Sequence, residues 1–183
     1  GLKHLEIPSQ VKKIPPAAFA GLSNLESLTF ADGSQVSEIG RRTFLGCTSL
    51  KYLEIPSRVT KIPPAAFLGL SNLESLIFAD GSQLSEIGYV AFLGCTSLKH
   101  LEIPSRVTKI PRLAFAGLYN LTSLTFADGS QLSEIGDGAF LGCIGLKHLE
   151  IPSQVKKIPP AAFAGLSNLE SLTFADGSQV SEI

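Results

Sequence analysis

Apolar residues along this chain follow one short-range pattern repeated at long range. In Leu5-Glu6-Ile7, Leu53-Glu54-Ile55, Leu101-Glu102-Ile103 and Leu149-Glu150-Ile151 they take every second position, the alternation of a β-strand with one face buried and the other wet. A leucine opens each stretch three residues earlier. The opening leucines, Leu2, Leu25, Leu50, Leu73, Leu98, Leu121, Leu146 and Leu169, lie alternately 23 and 25 residues apart, so two half-repeats make a block of 48. Residues 1–48, 49–96, 97–144 and 145–183 are copies of that block, the last stopping after 39 residues.

Within the first half-repeat, Pro8 has no N–H to give to a ladder and ends the strand. Val11 and Ile14 return inward. Pro15-Pro16 then predicts a short helical turn through Ala17, Ala18 and Phe19, because proline suits the first turn of a helix, and Gly21 predicts a left-handed close. The second half-repeat keeps the inward frame with Leu28, Phe30, Val36, Ile39, Phe44 and Cys47. Its two extra residues fall in Ala31-Asp32-Gly33-Ser34, which predicts a wider turn. One acidic residue per block at that turn supplies too few oxygen ligands for calcium.

A period in the twenties that opens LxxLx(I/F) predicts a leucine-rich solenoid. One such unit cannot bury its own apolar face, so neighbours must stack into a continuous core. The expected fold class is therefore a β-rich α/β coil: one leucine-rich-repeat domain over residues 1–183, with about eight rungs. A parallel sheet is expected on the concave side, with short strands, 3-10 or helical turns on the convex side.

The pattern LxxLxIPxxVxxIxxxAFxGCxxL is present as Leu50, Leu53, Ile55, Pro56, Val59, Ile62, Ala66, Phe67 and Gly69, then Ile87, Ala91, Phe92, Gly94, Cys95 and Leu98. It resembles the BspA-type leucine-rich repeat, and the resemblance covers the whole chain. It implies a curved solenoid found mainly in surface and secreted proteins of bacteria and protists that adhere to host or matrix proteins. An extracellular or cell-surface location and a protein partner, of host or extracellular-matrix origin, follow as expectations. The chain starts inside a repeat with no methionine. It reads as excised from a longer array or freed of a leader.

Stacking also accounts for the charges. Lys13, Glu38, Lys61, Glu86, Lys109, Glu134, Lys157 and Glu182 fall in one column of alternating sign. Lys3, Glu26, Lys51, Glu74, Lys99, Thr122, Lys147 and Glu170 fall in a second. Each charge is expected to face opposite neighbours, and slipping by one rung would place like charges together. Cys47, Cys95 and Cys143 take the core position that Leu22, Leu70, Leu118 and Leu166 hold in the other half-repeat. Two rungs separate equivalent atoms by about 9 to 10 Å, beyond the roughly 7 Å Cα limit of a disulfide. Three free, buried thiols are expected. Asn120-Leu121-Thr122 is the one N-x-S/T sequon, and its asparagine, in a column with Asn24, Asn72 and Asn168, is expected to bond turn backbone groups rather than carry glycan.

Individuality is confined to a few positions. On the outward strand face, Tyr52 stands among His4, His100 and His148, and Ile77 among Thr29, Thr125 and Thr173. His100 and Glu102 share a face but are two ligands, too few for zinc. Before each Ala-Phe pair the copies diverge most. There Tyr89, Arg112 and Asp137 follow on three consecutive rungs, with Leu113 and Tyr119 nearby. Arg112 is placed to stack on Tyr89 and to pair with Asp137, each exposed contact being worth about 0.5 to 1 kcal/mol. Tyr89, Arg112, Leu113, Asp137, Tyr119, Tyr52 and Ile77 are the candidate protein-binding residues, because Tyr and Arg dominate interfaces.

Composition narrows the function classes. A formal charge of −1 argues against a nucleic-acid surface, and no apolar run approaches the roughly 18 residues of a membrane span. No nucleophile, base and orienting group occur together, and no phosphate-cradling loop appears. No catalytic, cofactor or metal site is expected. The leading reading is a non-enzymatic protein-interaction module for adhesion or recognition at a cell surface. The competing one is an artificial or fragmentary array without a ligand of its own, since residues 1–39 and 145–183 are identical. Open terminal rungs add an expectation of end-to-end or edge self-association.

Overall fold

The structure, a computed structural model, describes Gly1–Ile183. Fourteen strands follow in order: β1 (His4–Ile7), β2 (Lys13–Ile14), β3 (Ser27–Phe30), β4 (Glu38–Ile39), β5 (Tyr52–Ile55), β6 (Lys61–Ile62), β7 (Ser75–Phe78), β8 (Glu86–Ile87), β9 (His100–Ile103), β10 (Lys109–Ile110), β11 (Ser123–Phe126), β12 (Glu134–Ile135), β13 (His148–Ile151) and β14 (Ser171–Phe174). The eight four-residue strands lie on the concave side of the coil, one per rung. All pairings are parallel, with β1-β3-β5-β7-β9-β11 as one sheet and β13-β14 as a separate pair.

The ladder alternates between full and partial. Inside a block four residues pair, as in His4↔Ser27, Leu5↔Leu28, Glu6↔Thr29 and Ile7↔Phe30. Between blocks the ladder stops after Ser27↔Tyr52 or Ser75↔His100. One residue removes the closing bond. Within a block the ladder closes with Ala31 N–H donating to Ile7 O at 3.0 Å. In the step from β3 to β5 the aligned position is Pro56, which has no N–H, so that end stays open. Pro104 and Pro152 repeat this at the next two steps.

Between β11 and β13 no pairing remains. The first two junctions carry Lys51 N–H to Glu26 O at 3.2 Å and Lys99 N–H to Glu74 O at 3.4 Å, with no counterpart from Lys147 to Thr122. Thr122 also donates its Oγ1–H to Lys99 O, at 3.1 Å, on the preceding rung. Sequence at this junction differs from the others, with Ile144-Gly145 where earlier blocks have Thr-Ser.

The alternation places Leu53 and Ile55 inside and Tyr52 and Glu54 outside. A single cluster of 44 buried residues runs the length of the coil. Its spine is the phenylalanine column: Phe44–Phe67, Phe67–Phe92 and Phe92–Phe115 have ring centroids 5.4, 5.0 and 5.2 Å apart and near-parallel planes. Cys47, Cys95 and Cys143 are free and buried. Their Sγ atoms donate to Phe19 O, Phe67 O and Phe115 O at 3.1, 3.1 and 3.2 Å.

The convex side differs from expectation. It carries turns and no helix, because alternate N–H groups bond to the next rung while those between them, Ala18, Ala20 and Leu22, close single turns onto Pro15, Ala17 and Phe19 carbonyls. Ala17, Phe19 and Gly21 N–H groups donate to Arg41, Thr43 and Leu45 carbonyls at 3.0, 3.0 and 2.8 Å. Ala17 is itself left-handed at φ 57, as are Arg42, Ala65, Val90, Leu113 and Ala161, and one left-handed residue stops a right-handed helix. The rungs pack closely at the start of this side: a Cβ on Gly88 would lie 2.3 Å from Pro64 N.

Candidate interaction surfaces

Two surfaces collect the residues in which the copies differ. On the sheet side, strand alternation aims positions 52 and 77 at solvent from neighbouring strands. Tyr52 is 57% and Ile77 56% exposed, with Tyr52 opposite Ser75 and Ile77 opposite Glu54. Elsewhere the same columns are polar: His4 Nδ1 and Ser27 Oγ lie 2.8 Å apart, His148 Nδ1 and Ser171 Oγ 2.9 Å.

Where the ladder is open, clefts form. One of about 530 Å³ lies between β3 and β5, lined by Phe30, Asp32, Glu54 and Pro56 and rimmed by Tyr52 and Ile77. A second, about 510 Å³, is lined by Phe78, Asp80, Glu102 and Pro104 between β7 and β9. The third, about 430 Å³, is lined by Phe126, Asp128, Glu150 and Pro152 between β11 and β13. The Asp-Gly-Ser turns that wall them are built as expected. Gly33, Gly81 and Gly129 have φ of 71, 71 and 72, and Ser34 Oγ accepts from Val36 N–H at 3.3 Å.

On the turn side, Tyr89 is 59% and Tyr119 51% exposed. Tyr89, Arg112 and Asp137 occupy successive rungs joined by Val90 N–H to Arg112 O at 3.4 Å and Leu113 N–H to Asp137 O at 3.2 Å. The expected Arg112–Asp137 ion pair is absent from the pairs the structure forms, and no stacking of Arg112 on Tyr89 is present. Leu113 lies over Gly138, where an added Cβ would meet its Cδ2 at 2.9 Å, and the Tyr119 ring lies 3.6 Å from the same construction at Gly142. Leu141 and Ile144, each 40% exposed, extend this patch and escaped the sequence reading. Ile144 had a signal: Ser23, Thr48, Ser71, Thr96, Tyr119, Ile144 and Ser167 form one column, in which two successive rungs exchange a small hydroxyl residue for a large side chain.

The charge columns resolve into couples rather than continuous ladders. Lys13–Glu38, Lys61–Glu86 and Lys109–Glu134 close at 2.7, 2.7 and 2.8 Å inside their blocks, whereas Glu38 does not reach on to Lys61. In the second column Lys3–Glu26 closes at 2.9 Å. Their mutual hydrogen bond raises the Lys3 pKa and lowers that of Glu26. Glu54, Glu102 and Glu150 on the sheet face, and Asp32, Asp80 and Asp128 in the turns, belong to no ion pair.

Asn72, Asn120 and Asn168 donate from Nδ2 to Thr48, Thr96 and Ile144 carbonyls at 2.7, 2.9 and 2.9 Å, the backbone role expected of that column. Burial pushes the Cys95 and Cys143 thiols up to about 12, the opposite of what a nucleophile or metal ligand needs. No three His, Cys, Asp or Glu side chains converge as a metal site. No helix is long and apolar enough to cross a membrane.

The family model of the BspA type leucine rich repeat region matches residues 1–117 and 85–183, in six copies. The chain belongs to the BspA-type leucine-rich repeat family. Solved structures agree. A leucine-rich repeat protein from Bacteroides ovatus is 28% identical, with a TM-score of 0.72 over 100% of this chain and 43% of that one. The pneumococcal vaccine antigen PcpA shares the fold at 23% identity and a TM-score of 0.65, over 96% of this chain and 51% of PcpA. The T. pallidum leucine rich repeat protein does so at 23% and 0.58, over 78% and 77%. This BspA-type chain thus spans less than half of the Bacteroides protein. No curated protein sequence matches it.

Proposed function

We propose that residues 1–183 form one recognition domain, without enzymatic activity, that binds protein partners at a bacterial cell surface through the concave sheet. The family is one of repeat solenoids, and a solenoid offers an extended curved surface for binding. One observation carries the reading. Tyr52 and Ile77, 57% and 56% exposed, lie diagonally across neighbouring strands on a sheet face whose other blocks are polar at those positions, above a cleft both help to line. An exposed aromatic beside an apolar neighbour is the composition of an interface centre.

The partner class, by resemblance, is a host or extracellular-matrix protein. Surface plasmon resonance against a panel of immobilised matrix proteins tests it. Binding that falls about tenfold or more in Tyr52→Ala or Ile77→Ser supports the sheet face, and absence of binding across the panel overturns the adhesion reading. A second surface is favoured by the Tyr119 and Ile144 exchange on successive rungs. If Tyr89→Ala, Arg112→Ala, Leu113→Ala, Asp137→Ala and Tyr119→Ser weaken binding while Tyr52→Ala does not, recognition lies on the turn side. In isolation the 183-residue chain presents β1 and β14 as unpaired edges, which favours self-association. A strictly monomeric sedimentation profile at high concentration contradicts that part.

A further inference from the structure

The three clefts repeat a single chemical unit. Each is lined by one Phe, one Asp, one Glu and the Pro that opened the ladder. Neither carboxylate is ion-paired, and no Lys or Arg lines any of the three clefts. Phe30, which lines the first, has a carbonyl that lacks the amide Ala31 supplies to Ile7 O in the preceding step. Every cleft therefore offers two carboxylates and a backbone carbonyl. Three acceptor groups match the three donors of a lysine ammonium.

Spacing selects the shape of the partner. Equivalent clefts lie 48 residues and two rungs apart, about 9.6 Å at a strand spacing of about 4.8 Å. A polyproline II chain rises about 3.1 Å per residue with three residues per turn, so it returns to the same face every 9.3 Å or so. An extended β-strand presents one face every two residues, at about 6.7 Å and then about 13 Å, and falls out of step at the second cleft. An α-helix regains the same face after about seven residues, about 10.5 Å, and drifts by nearly 2 Å over three clefts. Proline rings dock on aromatic-lined grooves, and a half-buried Phe lies in each cleft.

We infer that the sheet face binds a single-chain polyproline II segment with a lysine at every third residue, one ammonium entering each cleft between β3 and β5, β7 and β9, and β11 and β13. This rests on the sheet-face reading above and names the chemistry of its partner.

The test is fluorescence anisotropy of the whole chain with a labelled peptide of repeated Lys-Pro-Pro triplets. Two controls accompany it: an isomer of the same composition with its lysines contiguous, and an alternating Lys-Thr peptide of β-strand habit. In-register binding should exceed that of the contiguous isomer by about tenfold or more, because the sites are engaged together. The E54Q, E102Q and E150Q triple variant should remove that advantage with its unfolding midpoint unchanged. Equal affinity for the triplet peptide and its isomer reduces the effect to general charge attraction and overturns the inference. Tighter binding of Lys-Thr identifies an added strand instead, and absence of binding to all three overturns it outright. If matrix-protein binding still depends on Tyr52 in any of those cases, this inference fails while the sheet-face reading stands.

Discussion

Replacing Phe92 by alanine strikes the middle of the structure. Its ring is fully buried and stacks on Phe67 at 5.0 Å and Phe115 at 5.2 Å. Truncating a buried Phe costs about 3 to 5 kcal/mol through lost transfer energy and the cavity left behind. Two aromatic contacts of about 0.5 to 1.5 kcal/mol each go with it, which sets the expectation at the upper end of that range. In a solenoid each rung contacts only its neighbours, so the loss also weakens the coupling between the two halves. Phe19 is half-buried and has one ring neighbour, Phe44 at 5.6 Å, and Phe19→Ala should cost about half as much or less. Urea unfolding followed by circular dichroism gives both values. Phe92→Ala should lower the midpoint far more than Phe19→Ala and broaden the transition as the halves uncouple. Equal losses at the two positions would refute the stacked spine.

Three further perturbations bear on the same account. Gly88→Ala forces a Cβ to within 2.3 Å of Pro64 N, a backbone atom that cannot swing away. It should destabilise by about 1 to 3 kcal/mol, measured by urea titration, and a neutral result would show that rungs are looser there. Lys61→Glu places like charges beside Glu86, whose present separation from Lys61 Nζ is 2.7 Å. It should destabilise more than Lys61→Gln, though both by under about 1 kcal/mol because the pair is exposed, and identical midpoints would show no coupling. Cys95 and Cys143 ionise at about 12 when folded, against 9.0 for a free thiol. Above pH 9 the unfolded state releases these protons first, so stability should fall by about 1.4 kcal/mol per thiol for each pH unit toward 12. A Cys95→Val, Cys143→Val variant should lose that alkaline slope, and an unchanged slope would place the thiols in contact with water.

Much of this was legible because the repeat states each structural requirement several times over. Leucine spacing located every rung, and the alternation in Leu53-Glu54-Ile55 assigned the inward and outward faces that the structure has. The cysteine and asparagine columns follow from the same alignment. What escaped depends on bonds between rungs. Pro15-Pro16-Ala17-Ala18 reads as a helical start by local propensity, but the Ala17 N–H finds its acceptor, Arg41 O, on the next rung and Ala17 turns left-handed. The clefts were written in the sequence as a single contrast, Pro56 where the alternate rung has Ala31. A missing N–H marks a site only when the ladder it would have closed is known. The resolution of the charge columns into couples, mostly inside blocks but with Lys99–Glu74 across a junction, and the break between β11 and β13, likewise reflect junction geometry that columns of residues do not encode.

The central claim is that residues 48 positions apart occupy equivalent places in a stack of rungs. Nitroxide labels at His4 and His100, then at His4 and His148, measured by electron–electron double resonance, test this directly. Four and six rungs at about 4.8 Å predict separations near 19 Å and 29 Å, increasing by about 10 Å for the added block. Equal distances in the two samples, or a second distance shorter than the first, would contradict the stack and every surface assigned from it.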